Sequence, residues 1–331
     1  MKAFIPVAGA GKNLRPLTYT QPKALISIAG KTILGAIIDQ LSEAGVTEFV
    51  FVIGYLGEKI QHYIAETYPN LTYTLVTQND RRGLGHAIWL TADAVQDDEV
   101  LIVLGDTIFD YDIKKILESD ISQIGVKRVD DPSSFGVAEL GADDMVQKLV
   151  EKPKIPKSNL AMVGVYYIKE TREMYEAMNR HMASTQYEQD EYYFTNALQA
   201  MVEAGVQFKA FRVNNWFDCG NKEIVLATNA TLLKQQNEGA SNEPYAEGTC
   251  IIIPPVTIAR DCEIRNSIIG PNVSIGEHTQ IESSIIKDSI IGSYAKLEDV
   301  KLHSSIIGGD DIVHGLSQSL NIGDNTEIDL G

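Results

Sequence analysis

The apolar run AFIPVA ends in GAGKNLRPLT, where Gly9 and Gly11 stand beside Lys12, Asn13 and Arg15, with Lys23 a few residues further on. Glycines that follow a strand let backbone N–H groups come close to phosphates, and ligands of open parallel sheets bind at such strand ends. The segment is not a P-loop, because the GxxxxGK(S/T) spacing is absent, and GAGKNL lacks the third glycine of a dinucleotide fingerprint. Two aspartates offer a second kind of chemistry. Asp106 closes the run VLIVLGD and so falls at the carboxyl edge of a strand, while Asp218 lies in WFDCG between an aromatic pair and a glycine. Brought together, two carboxylates could hold Mg2+ on triphosphate oxygens; taken singly, either is more readily a turn or cap residue.

These residues need a scaffold. Up to about Leu233, short apolar runs (EFVFVIGY, TYTLVTQ, VLIVLGD, AMVGVYYI, QFKAFRV) alternate with helix-like segments such as ILGAIIDQLSEAG. Such alternation predicts an α/β domain over 1–233 with a mixed, mostly parallel, buried sheet of Rossmann-like type. LLKQQNEGASNEPYAEG then loses apolar periodicity and reads as a helix tail running into a linker at 234–248. Over 249–331 an aliphatic residue recurs about every five or six positions, through Ile252, Ile258, Ile264, Ile269, Ile275, Ile281, Ile286, Ile291 and Leu297. That period suits a parallel β-helix, each of whose three short faces contributes one inward residue per turn; an ordinary β-sandwich is the alternative.

A formal charge of −17 and a pI near 4.8 argue against a nucleic-acid or anionic-membrane partner, since both need a basic footprint. The three cysteines show no CxxC spacing, so neither a disulfide framework nor a thiolate metal site is expected. No apolar run approaches the ~20 residues of a membrane span, and MKAFIPVAGAG is too short for a signal peptide. A soluble cytoplasmic protein is the expectation.

The string VAGAGKNLRPLTYTQPKALISIAGK resembles the signature loop of the sugar-1-phosphate nucleotidylyltransferases, GxGTRLxPxTxxxPKxL. TQNDRRGLGHA, VLGD, DDPSSFGVAEL, EKPKIPKSNLAMVGVYY and WFDCG resemble further blocks of that family in the same order. The isoleucine ladder is similar to the left-handed, hexapeptide-repeat-like β-helix that several members carry behind the catalytic domain. The resemblance implies transfer of a nucleotidyl group from a nucleoside triphosphate, dTTP or UTP favoured, to a sugar-1-phosphate, glucose-1-phosphate favoured, with Mg2+ as cofactor. Lys23 would neutralise the α-phosphate, and Asp106 and Asp218 would hold the metal. Gly9, Gly11, Lys12 and Asn13 would face the nucleotide, with Gln78 and Gly83 reading the base. The Gly136 backbone, Glu151 and Lys152 would take the sugar phosphate.

Two positions depart from the pattern. Asn13 stands where the family arginine would stabilise the triphosphate, and Asn196, in EYYFTNALQ, stands where an aspartate is common. Asn13 raises a second reading, a nucleotide-sugar-binding regulatory subunit with weakened turnover. A third, an acyltransferase built on the β-helix with His278, His303 and His314, has no second feature behind it, and His86 is equally explained as a helix-start residue. The open end of a short β-helix predicts either homo-oligomerisation or a cap formed by the tail SLNIGDNTEIDLG.

Overall fold

The computed structural model describes the chain apart from residues 96–98, 184–190, 239–243, 316–319 and 330–331. The described residues form two compact units, Met1–Gly9 with Ile37–Trp216, and Ala10–Ala36 with Phe217–Gly331. The glycine-rich loop thus belongs to the same unit as the C-terminal third of the chain. Helix Lys222–Gln236 enters the segment expected as a linker, of which 239–243 lie outside the described residues.

The first unit is built on a nine-stranded sheet of β1 (Lys2–Pro6), β2 (Glu48–Ile53), β3 (Thr72–Thr77), β4 (Val100–Val103), β5 (Ser122–Arg128), β6 (Gly136–Leu140), β7 (Val146–Glu151), β8 (Leu160–Ile168) and β9 (Phe208–Arg212). Its order is β7-β6-β8-β4-β1-β2-β3, with β5 pairing β8 and β9. β1 lies parallel between β2 and β4, Phe4 facing Val50 on one side and Ile102 on the other. β8 runs antiparallel to β4, β5 and β6, which makes the sheet mixed. Strands covered on both faces read as unbroken apolar runs: every residue of VLIV in β4 and of LAMVGVYYI in β8 is buried, whereas TYTLVT in edge strand β3 is not. Helix Phe194–Glu203 buries Phe194, Ala197, Leu198 and Met201, a spacing that places all four on one stripe facing the core. The chain turns after it at Gly205, whose φ of 95° favours glycine.

In the second unit the isoleucine ladder becomes three sheets of parallel strands, one of them edged by the antiparallel Tyr245–Glu247, wound as a short left-handed β-helix. Ile252, Ile269, Ile286 and Leu302 stack in register on one face, Ile258, Ile275, Ile291 and Ile307 on the next, and Ile264, Ile281, Leu297 and Val313 on the third. Most are fully buried. Ile258, expected inside, is 38% exposed because its strand, Val256–Ile258, is the end strand of its sheet. The corners use left-handed residues in columns, such as Asp261, His278, Tyr294, Asp310 and Asn325, and asparagine and aspartate tolerate that backbone best among non-glycines. The serines before four of the isoleucine pairs close the coils. Ser267, Ser284, Ser289 and Ser305 donate to the carbonyl two residues back and accept an N–H from the following coil. Within the tail, Glu327–Asp329 pairs parallel with Ile312–His314, so this part extends the stack instead of folding across its end; residues 319 and 330–331 lie outside the described set.

Candidate active site

Within the first unit, Gln78 follows β3 and is buried. Its N–H donates to Ile53 O at 2.8 Å, and its Nε2 donates to Gly83 O at 3.1 Å and lies 3.1 Å from His86 Nδ1. Burial, helped by the Arg82 charge, lowers the His86 pKa, so the ring is neutral near pH 7 and Nδ1 acts as the acceptor. With both amide hydrogens directed to protein, the Gln78 carbonyl is the end that can accept from a base edge. Gly83 has φ 89°, and a Cβ there would meet Tyr192 O at 2.8 Å, so packing alone demands this glycine. Tyr192 holds the turn: its carbonyl accepts from Gly85 N at 2.7 Å, and its hydroxyl from Arg82 Nη2 at 3.0 Å.

A second cluster forms where β7 ends. Gly136 begins β6 and faces Glu151, the last residue of β7. A Cβ on Gly136 would lie 3.0 Å from both Glu151 Oε2 and Thr195 Oγ1, which explains a glycine there. The Thr195 hydroxyl donates to Glu151 Oε2 at 2.5 Å, while Lys152 Nζ lies 3.9 Å from Glu151 Oε1 and 4.8 Å over the Tyr193 ring. The Lys152 backbone has φ 41°, uncommon for a side chain of this kind and held by its N–H bond to Phe135 O at 3.0 Å. A carboxylate fixed in orientation can accept from vicinal hydroxyls, while the half-exposed ammonium beside it can meet a phosphate.

Asp106 is half-buried in the turn after β4, and the preceding Gly105 is packed so closely that a Cβ would lie 2.9 Å from Pro6 O. Gly9, in the loop beyond β1, is exposed. A Cβ there would meet no protein atom within 4 Å, and its φ lies outside the left-handed region, so neither packing nor backbone requires glycine.

In the second unit the loop folds as short 3-10 turns at Lys12–Leu14, Leu17–Tyr19 and Lys23–Leu25. Gly11, at φ 57°, accepts the Thr18 hydroxyl at 2.7 Å, and a Cβ there would press within 3.1 Å of the Lys23 Cβ. Lys23 Nζ lies 3.7 Å from Asp218 Oδ1, the ammonium largely buried and the carboxylate half-exposed. Lys12 and Asn13 are exposed.

The structure therefore joins Lys23 to Asp218, Gln78 to Gly83, and Gly136 to Glu151 and Lys152. Sequence reasoning missed Thr195 and Tyr193, although both lie in EYYFTNALQ, where Asn196 alone drew notice. Asn196 Nδ2 lies 3.5 Å from His181 Nε2, a contact that ties its helix to Thr171–Met182. His278 stacks on Tyr294 at a β-helix corner, whereas His303 and His314 each end a strand. Among the described residues no group of three or more His, Cys, Asp or Glu side chains converges as a metal site, and no helix is long and apolar enough to cross a membrane.

Residues 2–235 match the model of the family described as nucleotidyl transferase. The chain is 29% identical to glucose-1-phosphate thymidylyltransferase of Streptomyces antibioticus, over 100% of this chain and 99% of that protein. It is 32% identical to the bifunctional protein GlmU of Methanococcus vannielii, over 94% of this chain and 78% of that protein. Among solved structures, UDP-glucose pyrophosphorylase complexed with UDP-glucose superposes with a TM-score of 0.62 at 22% identity, covering 71% of this chain and 98% of that one, a likeness of fold. The loop, the two polar clusters of the sheet and these matches agree: the chain belongs to the nucleotidyl transferase family.

Proposed function

We propose that the protein joins a nucleoside triphosphate, dTTP or UTP favoured, to a sugar-1-phosphate, glucose-1-phosphate favoured, and releases pyrophosphate. The observation that carries this reading is the Gly136–Glu151–Lys152–Thr195 cluster, which offers a positioned carboxylate for hydroxyls and an ammonium for phosphate within one turn of chain. In the reaction an oxygen of the sugar phosphate bonds to the α-phosphorus, the bond from that phosphorus to the bridging oxygen breaks, and the electron pair leaves with pyrophosphate. No protein nucleophile is needed; positioning and charge neutralisation supply the catalysis. Lys23 is the cation proposed for the α-phosphate. The Gln78 carbonyl suits a base that presents a ring N–H, as uracil and thymine do. Gly9 supports a nucleotide passing close to the backbone, because nothing in the protein accounts for a glycine there.

Asp106 and Asp218 are the carboxylates proposed to hold Mg2+, whose charge would offset that of the phosphates. Two carboxylates fit this ion, which takes few protein ligands and fills its octahedron with phosphate oxygens and water.

The exposed Asn13 favours the second reading, a binding subunit with weak turnover, since an absent charge-stabilising donor typically lowers rate by about 10²–10³. Pyrophosphate release over a grid of triphosphates and sugar-1-phosphates, with Mg2+, separates the two. Turnover by the unaltered protein that disappears in Asp106→Ala is the expected result. No turnover with any pair, but recovery in Asn13→Arg, would replace the enzyme by the regulatory reading.

A further inference from the structure

Within the second unit, the glycine-rich loop rests on the last coil of the β-helix. The Thr20 hydroxyl donates to Asp324 Oδ2 at 2.7 Å, and Asp324 Oδ1 accepts from Gly309 N at 2.8 Å, so one carboxylate ties the loop to the preceding coil. Beside it, Gly323 lies so close to the loop that a Cβ would sit 3.0 Å from Pro16 O and 3.3 Å from Leu17 N. The supported segment is itself bound to the phosphate-handling residues. Tyr19 N donates to Pro16 O at 2.9 Å, Thr18 Oγ1 to Gly11 O at 2.7 Å, and Gln21 Nε2 to Leu25 O at 3.1 Å across Lys23.

We propose that Asp324 is a positioning residue for the nucleotide loop, which makes the last β-helix coil part of the nucleotide-handling apparatus. This rests on the activity proposed above. Asp324 touches no reacting atom; it fixes residues 16–20, and through them the placement of Gly11, Asn13 and Lys23. Loss of the tie loosens the loop where the triphosphate lies and leaves the Glu151–Lys152 cluster, which belongs to the sheet, as it was.

Three variants test it in the full-length protein. Asp324→Ala removes both ties. Thr20→Val removes the bond from the loop to Asp324 and keeps the one from Gly309, so it remains informative should Asp324→Ala fail to fold. Asp324→Asn retains an acceptor for Gly309 N, while its amide can donate to Thr20 Oγ1, so it should rescue. Hydrogen exchange over residues 12–20 is expected to quicken about tenfold in the first two variants and to stay within about twofold of the unaltered protein in the third, the change expected when a hydrogen bond to a charged group is lost or replaced. The KM for dTTP is expected to rise about tenfold in the same two variants, with the KM for glucose-1-phosphate unchanged. Unchanged exchange over 12–20 in Thr20→Val, or an equal rise in both KM values, would overturn the proposal. Exchange needs no turnover, so it decides the role of Asp324 even if the unaltered protein joins no pair of substrates.

Discussion

Thr195→Val tests the proposed sugar-phosphate cluster with little change of shape. Valine replaces a hydroxyl by a methyl of similar volume at a site only 5% exposed, so no cavity forms and the charge-assisted bond to Glu151 Oε2 at 2.5 Å is what is lost. A hydrogen bond to a charged group contributes about 1.5–3 kcal/mol, and because the Glu151 side chain is 16% exposed, water can replace part of it, which favours the lower end. About 1.4 kcal/mol corresponds to a tenfold change in an equilibrium constant. Freed from Thr195, the carboxylate can turn toward Lys152, already 3.9 Å away, and engage the ammonium proposed for phosphate. The expected outcome is a KM for the sugar-1-phosphate raised about tenfold, a KM for the triphosphate unchanged, and a urea unfolding free energy lowered by about 1.5 kcal/mol. Thr195→Ser, which keeps the hydroxyl, should restore the KM. A Thr195→Val enzyme with unaltered sugar-phosphate KM and unaltered stability would refute the role given to this bond.

Gly9→Ala adds a methyl where no protein atom lies within 4 Å, so the thermal midpoint should hold while the KM for the triphosphate rises on the order of tenfold; an unchanged KM would show that no ligand approaches this backbone. Asp311 supplies a pH prediction: burial pushes its carboxyl up to about 6, although Gly308 N and Thr326 N both donate to it. In the unfolded chain an aspartate titrates near 3.9, so between these values the folded protein binds a proton that the unfolded one lacks. The contribution of this group to stability is therefore full below about pH 4 and is lost as pH rises through 6. Melting the protein and Asp311→Asn in parallel from pH 7.5 to 5 should show the unaltered protein gaining on the variant as pH falls, and a constant difference would exclude Asp311 as the source.

The legible parts of this fold were those written locally. Runs such as VLIV and AMVGVYYI gave away buried strands because both faces of the sheet are covered. The β-helix was readable because each face takes one inward aliphatic residue per coil, and Ile258 broke the pattern only through its place at the end of the stack. Strand order was not legible: the antiparallel entry of β8 between β4 and β6 is decided by partners distant in sequence. The serines that cross-tie the coils looked like ordinary polar residues, since their role depends on the N–H of a coil about 16 residues away. The candidate site was legible at Asp106, where a strand end marks it, whereas Gly136 was reached only through the family resemblance. Thr195 was not, because its partner Glu151 lies 44 residues earlier and on another element. The membership of the glycine-rich loop in the second unit was equally hidden, resting on bonds such as Ala29 N to Asn229 Oδ1, 200 residues apart.

That loop is synthesised well before the residues that hold it in place. Domains generally form from the N-terminus as the chain emerges, and the strands from β1 to β9 are complete once residue 212 is free. Asp218, Asn229 and Asp324, the partners of Lys23, Ala29 and Thr20, all follow. A truncated chain ending near 216 holds every strand of the sheet and none of these anchors. Order in the loop is thereby postponed until the residues through Asp324 have been made, so that synthesis of the β-helix and assembly of the glycine-rich loop become one event.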